Sequence, residues 1–462
     1  MKFGSMRLCV SACTVDKRGP SRLIRLAFPI VAMLVALYLY LRRPLTYVAF
    51  TLWIWFLTPL IRRLVDWKLG WADPNLLLLA PFFVSGVSAL QLVLPRKDAR
   101  LEIPPPFVLC GLAILYGFIM GMFQKPSTEV AYALLNWACP MLFALFLFVQ
   151  WRRYEEMRAT IQRHIAIGVT VMGVYGIYQY FVSPLWDVFW LENISLDSID
   201  PSFGQPVPMG IRVWSTLNAP GPFANVMVAC LLILMVTSSR WKLPALIGGY
   251  VSFLLSSVRT AWLSWVVGLV MMLRGMKPAT IAKIIGSMLL LGLCLVPIIQ
   301  NPDIAPLIGD RVKTFSDLGH DESFNERRDM YGVVGGVVRN DPFGHGLLNA
   351  EIVKNLVVDS GILILFLELG WLGTAMFAAG IVMFLMQKDV SGDDRFPGCC
   401  RAICIAYLSQ LIGGQVFVGV TGTFFWLCLG MAAAAARWYG SDERLKASVE
   451  AGAKRPLVLT GA

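Results

Sequence analysis

The stretch PFVLCGLAILYGFIMGM, residues 106–122, is followed after a short polar break by VAYALLNWACPMLFALFLFVQ, residues 130–150, and neither run contains a charged side chain. Each is long enough to cross a hydrocarbon core of about 30 Å as a helix. Lipid offers the backbone no hydrogen bonds, so a spanning segment must pair its N–H and C=O groups internally. Runs of this kind recur in both directions from that pair. They fall near 26–41, 45–61, 75–94, 161–182, 220–238, 243–257, 261–273, 280–299, 353–386, 402–418 and 421–437. They are too many and too continuous for a β-barrel. The expected fold is an all-α polytopic membrane protein with about 12–13 transmembrane helices.

Composition agrees with this reading. Of 462 residues, 57% are hydrophobic and 15% charged, and the mean hydropathy is +0.66. Soluble domains average about 45–50% apolar and about 25% charged. An ordinary cytosolic enzyme, a disordered chain and a disulfide scaffold are thereby excluded. The net charge of +11 comes from 40 Lys and Arg against 29 Asp and Glu. In a membrane protein such an excess marks cytoplasmic loops and not nucleic-acid contact. Most cysteines lie inside apolar runs, Cys399 and Cys400 are adjacent, and the histidines are only His164, His320 and His345. No Cys or His spacing fits zinc or an iron–sulfur cluster, so neither a metal site nor a cofactor is expected.

The chain divides into a basic tail (1–25), a single transmembrane domain (26–437) and a C-terminal tail (438–462) expected in the cytoplasm. The first run has no small-residue cleavage site and further spans follow it, so it reads as a retained helix. Two connections are long, 183–219 and 301–352, and loops of that length are usually functional or disordered. Basic clusters at Arg152-Arg153, Arg240/Lys242, Arg274/Lys277 and Arg437 read as cytoplasmic, which puts both long loops on the opposite face. The second loop agrees, because Asp303, Asp310, Asp317, Asp321, Glu322, Glu326, Asp329 and Asp341 outnumber its basic residues. Counting spans backwards from Arg152 leaves two possibilities. Either the basic N-terminal tail lies on the outer face, or one early segment does not cross.

Two segments stand out. Between basic clusters, 243–273 has room for two helices of about 15 residues, each rising roughly 22 Å. The turn Ser256-Ser257-Val258-Arg259-Thr260 between them is therefore expected in a recess below the outer surface. An arginine there is costly and points to function, unless it snorkels to headgroups. The run 353–386 is too long for one untilted span, and a break is expected at Gly370 after a short helix over about 353–368. Asp359 falls on that short helix near the outer face.

Cations on the outer face are few: Arg212 just before a span, Arg259 in the turn, and Arg311, Arg327 and Arg328 in the second loop. Guanidinium groups grip phosphates through paired hydrogen bonds and keep their charge. Several converging at a membrane surface point to a diphosphate attached to a lipid. For Arg311, Arg327 and Arg328 the alternative is pairing with the surrounding carboxylates.

These residues carry a resemblance. Ser256-Ser257-Val258-Arg259-Thr260-Ala261-Trp262-Leu263 resembles the SRxxxL turn of the O-antigen ligase/polymerase family, with Val258 inserted. Arg212-Val213-Trp214-Ser215-Thr216-Leu217-Asn218-Ala219-Pro220 is similar to that family's arginine-led element ending in Asn-Pro, with looser spacing. Arg327-Arg328-Asp329-Met330-Tyr331, then Pro342-Phe343-Gly344-His345-Gly346, resembles its loop. Asp359-Ser360-Gly361-Ile362-Leu363, then Glu368-Leu369-Gly370-Trp371-Leu372-Gly373, resembles its following helix. The likeness covers about 200–375, the region expected to hold the site, and elsewhere extends only to hydropathy.

The resemblance implies a metal-independent, inverting glycosyltransferase in the bacterial inner membrane, with its site facing the periplasm or exterior. It implies an undecaprenyl-diphosphate-linked oligosaccharide as donor, bound by Arg212, Arg259, Arg311, Arg327 and Arg328. The catalytic set is then Arg259, Arg327 and Asp359. Ligases of the family carry a histidine where this chain has Asp359, which favours an O-antigen or exopolysaccharide polymerase over a ligase acting on lipid A core. Asp359 is then the base for the acceptor hydroxyl, or else a helix cap or an orienting group for an arginine. His345, between two glycines, reads as structural. The implied partners are the lipid bilayer and, within the pathway, a chain-length regulator and a flippase. The competing class is a lipid-linked oligosaccharide flippase or solute transporter, against which the halves show no internal repeat.

Overall fold

A computed structural model of the chain describes residues 18–93, 103–124, 126–194, 201–274, 278–279, 281–282, 286, 322–347, 360–387 and 394–453. Among them the protein is all-α, with a single isolated β-bridge between Gly204 and Ile211. The helices are α1 (Arg18–Arg42), α2 (Pro44–Leu69), a mixed 3-10 and α segment α3 (Leu76–Leu92), α4 (Pro105–Gln124), α5 (Thr128–Val149), α6 (Tyr154–Val182) and α7 (Leu185–Ile194). There follow α8 (Pro220–Met235), α9 (Lys242–Leu255), α10 (Arg259–Leu273), α11 (Glu322–Asn340), α12 (Gly361–Leu385), α13 (Phe396–Ser409) and α14 (Gly419–Ala453). Among the described residues, 8 helices are long and apolar enough to cross a membrane, and four shorter apolar helices accompany them. The chain is a polytopic membrane protein, as its sequence leads one to expect. The expected span over 280–299 lies for the most part outside the described residues, as does the start of the one over 353–386.

Two details differ from the expected organisation. Both long connections contain helix, α7 in the first and α11 in the second. Beyond the last candidate span, Gly419–Ser441, α14 continues as one helix to Ala453, into the segment expected as a tail.

Several basic clusters gather at one end of the bundle. Arg437 lies over the rings of Phe148 and Trp151, beside Arg152-Arg153. Asp394 accepts from Tyr154 and Tyr439 and pairs with Arg158, which fixes the start of α13 at that same end. Gln162 near the start of α6 donates to Val236 O, which brings the Arg240/Lys242 turn there too. The α1–α2 turn at Arg42-Arg43 joins them, since the rings of Tyr40 and Tyr47 pack against Phe146, tilted and edge-on. The clusters at Arg152-Arg153, Arg240/Lys242 and Arg437 thus share one end, as a single membrane face requires.

Arg25, near the start of α1, donates to Asp66 near the end of α2 at 2.9 Å. Asp66 also accepts from Arg62 and Asn75. That corner lies at the end opposite the basic clusters, so α1 begins on the face of the long connections. α3 then returns to the basic end, with Tyr47 donating to Val84 O and Gln91 to Leu142 O. Helices α1, α2 and α3 thus run in turn between the two ends of the bundle.

Packing relies on small residues, as expected where lipid removes the hydrophobic drive between helices. A Cβ on Gly173 of α6 would lie 2.5 Å from the Gly248 carbonyl carbon of α9, and one on Gly176 would lie 2.9 Å from Ser252 Cβ. α14 is the most enclosed span; Phe417 beside its start and its Phe425 and Trp426 interlock with Trp137 and Phe377. The break expected at Gly370 is present, with φ 63 inside α12. The Pro342–Gly346 loop fills it: Trp371 N donates to Pro342 O and His345 N to Leu367 O. Gly344, at φ +73, abuts Gly370 so closely that a Cβ would lie 2.5 Å from Gly370 N. His345 lies in this loop, its imidazole 3.4 Å from Asp341.

Candidate diphosphate site

The site is built on the end opposite the basic clusters. Residues 203–212 form a tight reversal, with Gln205 N donating to Gly210 O and Arg212 N to Phe203 O. The strap that follows is tied down atom by atom. Val213 N donates to Leu255 O at 3.1 Å. Trp214 N and Ser215 N both donate to Gln179 Oε1, at 3.1 and 2.8 Å. Ser215 Oγ donates to Met172 O, and Arg63 Nη2 donates to Ser215 O.

Beneath the strap lies a wholly buried ion pair. Arg63 Nη1 meets Asp187 Oδ1 at 2.7 Å, with neither side chain exposed. Gln179 and Tyr175 donate to Asp187 Oδ2 at 2.7 and 2.9 Å, and Trp186 donates to the Tyr175 hydroxyl. Burial pushes the Asp187 carboxyl above the ordinary carboxylate range, opposed by the neighbouring Arg63 charge. The Arg63 guanidinium also faces the Trp214 ring at 5.9 Å.

The strap places Arg212 over the α9–α10 turn. Its Nη2 donates to Ser257 O at 3.0 Å and its Nε to Ser256 O at 3.3 Å. Arg259 is the first residue of α10, whose N-cap, Val258, supplies no side-chain hydrogen bond. Both arginines are half-buried. Helices α9 and α10 have 14 and 15 residues, as their brevity in sequence implies. Gly176 of α6 faces Ser252 and Gly173 faces Gly248, so α9 runs parallel to α6 and its turn lies level with the C-terminal end of α6. The 29-residue α6 extends past α9 at the basic end, and the strap, not short helices, covers the turn.

Helices α10 and α13 run antiparallel, with Ser264 donating to Ala406 O and Gly268 facing Ala402. The start of α10 therefore lies level with the end of α13 and the turn Leu411–Gly413. Ser360, the N-cap of α12, donates to Leu411 O, and Tyr331 of α11 hydrogen-bonds Ser360 Oγ at 2.7 Å. The strap, the Arg259 turn and the starts of α12 and α13's following turn thus meet at one end of the bundle.

Of the sequence-derived site residues, Arg212 and Arg259 come together. Arg327 and Arg328 lie on α11, Arg327 one turn before Tyr331, with their side chains outside the described residues. Arg311 and Asp359 lie outside the described residues altogether. Arg63, Gln179 and Asp187 were missed by sequence reasoning. The available signal was an acid in the apolar run Leu185-Trp186-Asp187-Val188-Phe189 and an arginine just past the second span, two charges that need one another once buried. Strain marks the same region. Among the described residues, the non-glycine positions with positive φ are Ser183, Met209, Ser215 and Ser257, all at this end. Such conformations cost about 1–3 kcal/mol each and cluster at ligand clamps.

No protein-family model and no curated protein matches the chain.

Proposed function

We propose that the protein is an integral-membrane glycosyltransferase that polymerises undecaprenyl-diphosphate-linked oligosaccharide units of a bacterial surface polysaccharide, on the outer face of the inner membrane. One observation carries this reading: Arg212 and Arg259, distant in sequence, are brought to a single turn at the end of the bundle opposite the basic clusters. A cation in the first turn of a helix works against the helix dipole, typically by about 0.3–1 kcal/mol. Arg259 therefore stands where an anion would be favoured, because the α10 N-terminus itself attracts one.

The chemistry needs little else. The acceptor hydroxyl oxygen bonds to the anomeric carbon of the donor saccharide while the bond from that carbon to the diphosphate oxygen breaks. Undecaprenyl diphosphate leaves with the bonding electrons, and the hydroxyl proton passes to a base, the role we assign to Asp359. Charge grows on the diphosphate, and preorganised guanidinium groups lower the barrier by meeting it. Arg327, on the helix that joins Ser360 through Tyr331, is assigned to the same clamp, with Arg311 and Arg328 as further donors. A chain-length regulator and a flippase are the expected partners in the cell.

The test is reconstitution in lipid vesicles with an undecaprenyl-diphosphate oligosaccharide in EDTA. A ladder of carrier-linked polymer is the expected product. Transfer of finished glycan only to a lipid A core would replace polymerase by ligase. Movement of the lipid across the vesicle without any product would replace both by a transporter.

A further inference from the structure

We propose that the end of the bundle where the Arg212 strap, the start of α8 and the end of α13 adjoin holds a saccharide subsite, formed by the Thr216 hydroxyl and the side-chain amides of Asn218, Asn225, Gln410 and Gln415. It rests on the glycosyltransferase reading and adds to it where the sugar lies. The starting observation is a group of orphaned atoms. Thr216 Oγ, Asn218 Oδ1, Asn225 Oδ1, Gln410 Nε2 and Gln415 Nε2 are buried with no hydrogen-bond partner among the described residues. Thr216 and Gln410 are 0% and 6% exposed as whole residues. Buried polar groups are almost always satisfied, and an orphaned one is costly enough to require an explanation.

Their positions converge. Tyr407 OH donates to Asn225 O, and Gln410 N donates to Tyr407 O, so Asn225 of α8 and the end of α13 adjoin. Gln410 and Gln415 flank the turn at Leu411–Gly413, level with Arg259. Asn218 and Thr216 continue the strap that begins at Arg212. The atoms also suit one chemistry. The two asparagine oxygens accept, the two glutamine nitrogens donate, and the threonine hydroxyl does both. A phosphate only accepts, whereas sugar hydroxyls both donate and accept, as side-chain amides and a threonine hydroxyl do. One lipid-linked ligand then spans both sites, with its diphosphate at Arg212 and Arg259 and its saccharide over the amides.

The test uses the full chain in nanodiscs and two probes, undecaprenyl diphosphate with and without an oligosaccharide. The variants are Gln410→Met and Asn225→Leu, which keep side-chain size and remove the amide. Removing an unsatisfied buried amide should leave the unfolding temperature unchanged or raise it. Preference for the sugar-bearing lipid should fall about tenfold, the ratio set by one hydrogen bond of ordinary net strength. If only one variant accumulates, its preference alone decides. A folded variant that keeps the wild-type preference overturns the subsite, as does a lowered unfolding temperature with preference unchanged, which marks the amides as structural. Equal binding of both lipids by the wild type also overturns it and leaves the diphosphate site standing. Binding of neither lipid overturns the glycosyltransferase reading and the subsite with it.

Discussion

Asp187→Ala is expected to cost the protein about 3–5 kcal/mol, the usual price of leaving one partner of a buried ion pair uncompensated. A whole domain is typically stable by only about 5–15 kcal/mol. The carboxylate accepts from Arg63, Gln179 and Tyr175, and nothing else in that network accepts from Arg63 Nη1. Asp187→Asn should be nearly as damaging, since an amide NH2 would face donors. The effect should reach function as well as stability, because Arg63 and Gln179 hold the Ser215 backbone and thereby the strap that aims Arg212. Thermal unfolding of the purified variants measures the loss. A double variant, Arg63→Met with Asp187→Leu, should recover much of the stability, because it leaves no charge unpaired. Loss of less than about 1 kcal/mol in Asp187→Ala would mean that the pair is solvated and does not hold the strap.

Arg259→Ala is expected to do the opposite, removing activity while sparing the fold. Loss of one preorganised donor to a charge that develops in the transition state costs about 100- to 1,000-fold in kcat. The residue is half-buried, fills no core position and opposes the α10 dipole, so its removal should leave the unfolding temperature within a degree or two or raise it. Arg259→Lys should recover part of the rate, since it keeps the charge and loses the bidentate fork. In cells, Arg259→Ala protein should reach the membrane at the wild-type level and yield no polymer. Polymer of ordinary length from that variant would remove Arg259 from the site.

Helix positions were legible because a spanning segment announces itself by length and apolarity, and Gly370 was legible because a glycine in an over-long apolar run has few other reasons to be there. The shared end of Arg152-Arg153, Arg240 and Arg437 followed from charge bias alone. The broken course of α3 did not, because its sequence reads like any other apolar run. Arg212 and Arg259 were legible as isolated cations on one face. Their meeting was not, because it is made by backbone: Arg212 reaches the carbonyls of Ser256 and Ser257, groups every residue possesses. The Arg63–Asp187 pair was hidden for a related reason. Each charge alone looks like an interfacial residue at the end of a helix, and only the three-dimensional approach of α7 to α2 turns them into a buried pair.

The central claim is that guanidinium groups at this end hold a prenyl diphosphate. Cryo-electron microscopy of the protein in nanodiscs with undecaprenyl diphosphate measures it directly. The account predicts phosphate density within hydrogen-bond reach, about 3 Å, of both Arg212 and Arg259, with the prenyl chain running into lipid. Phosphate density at the basic end beside Arg152 and Arg437, or more than about 10 Å from both arginines, beyond the range at which exposed charges interact strongly, would contradict it.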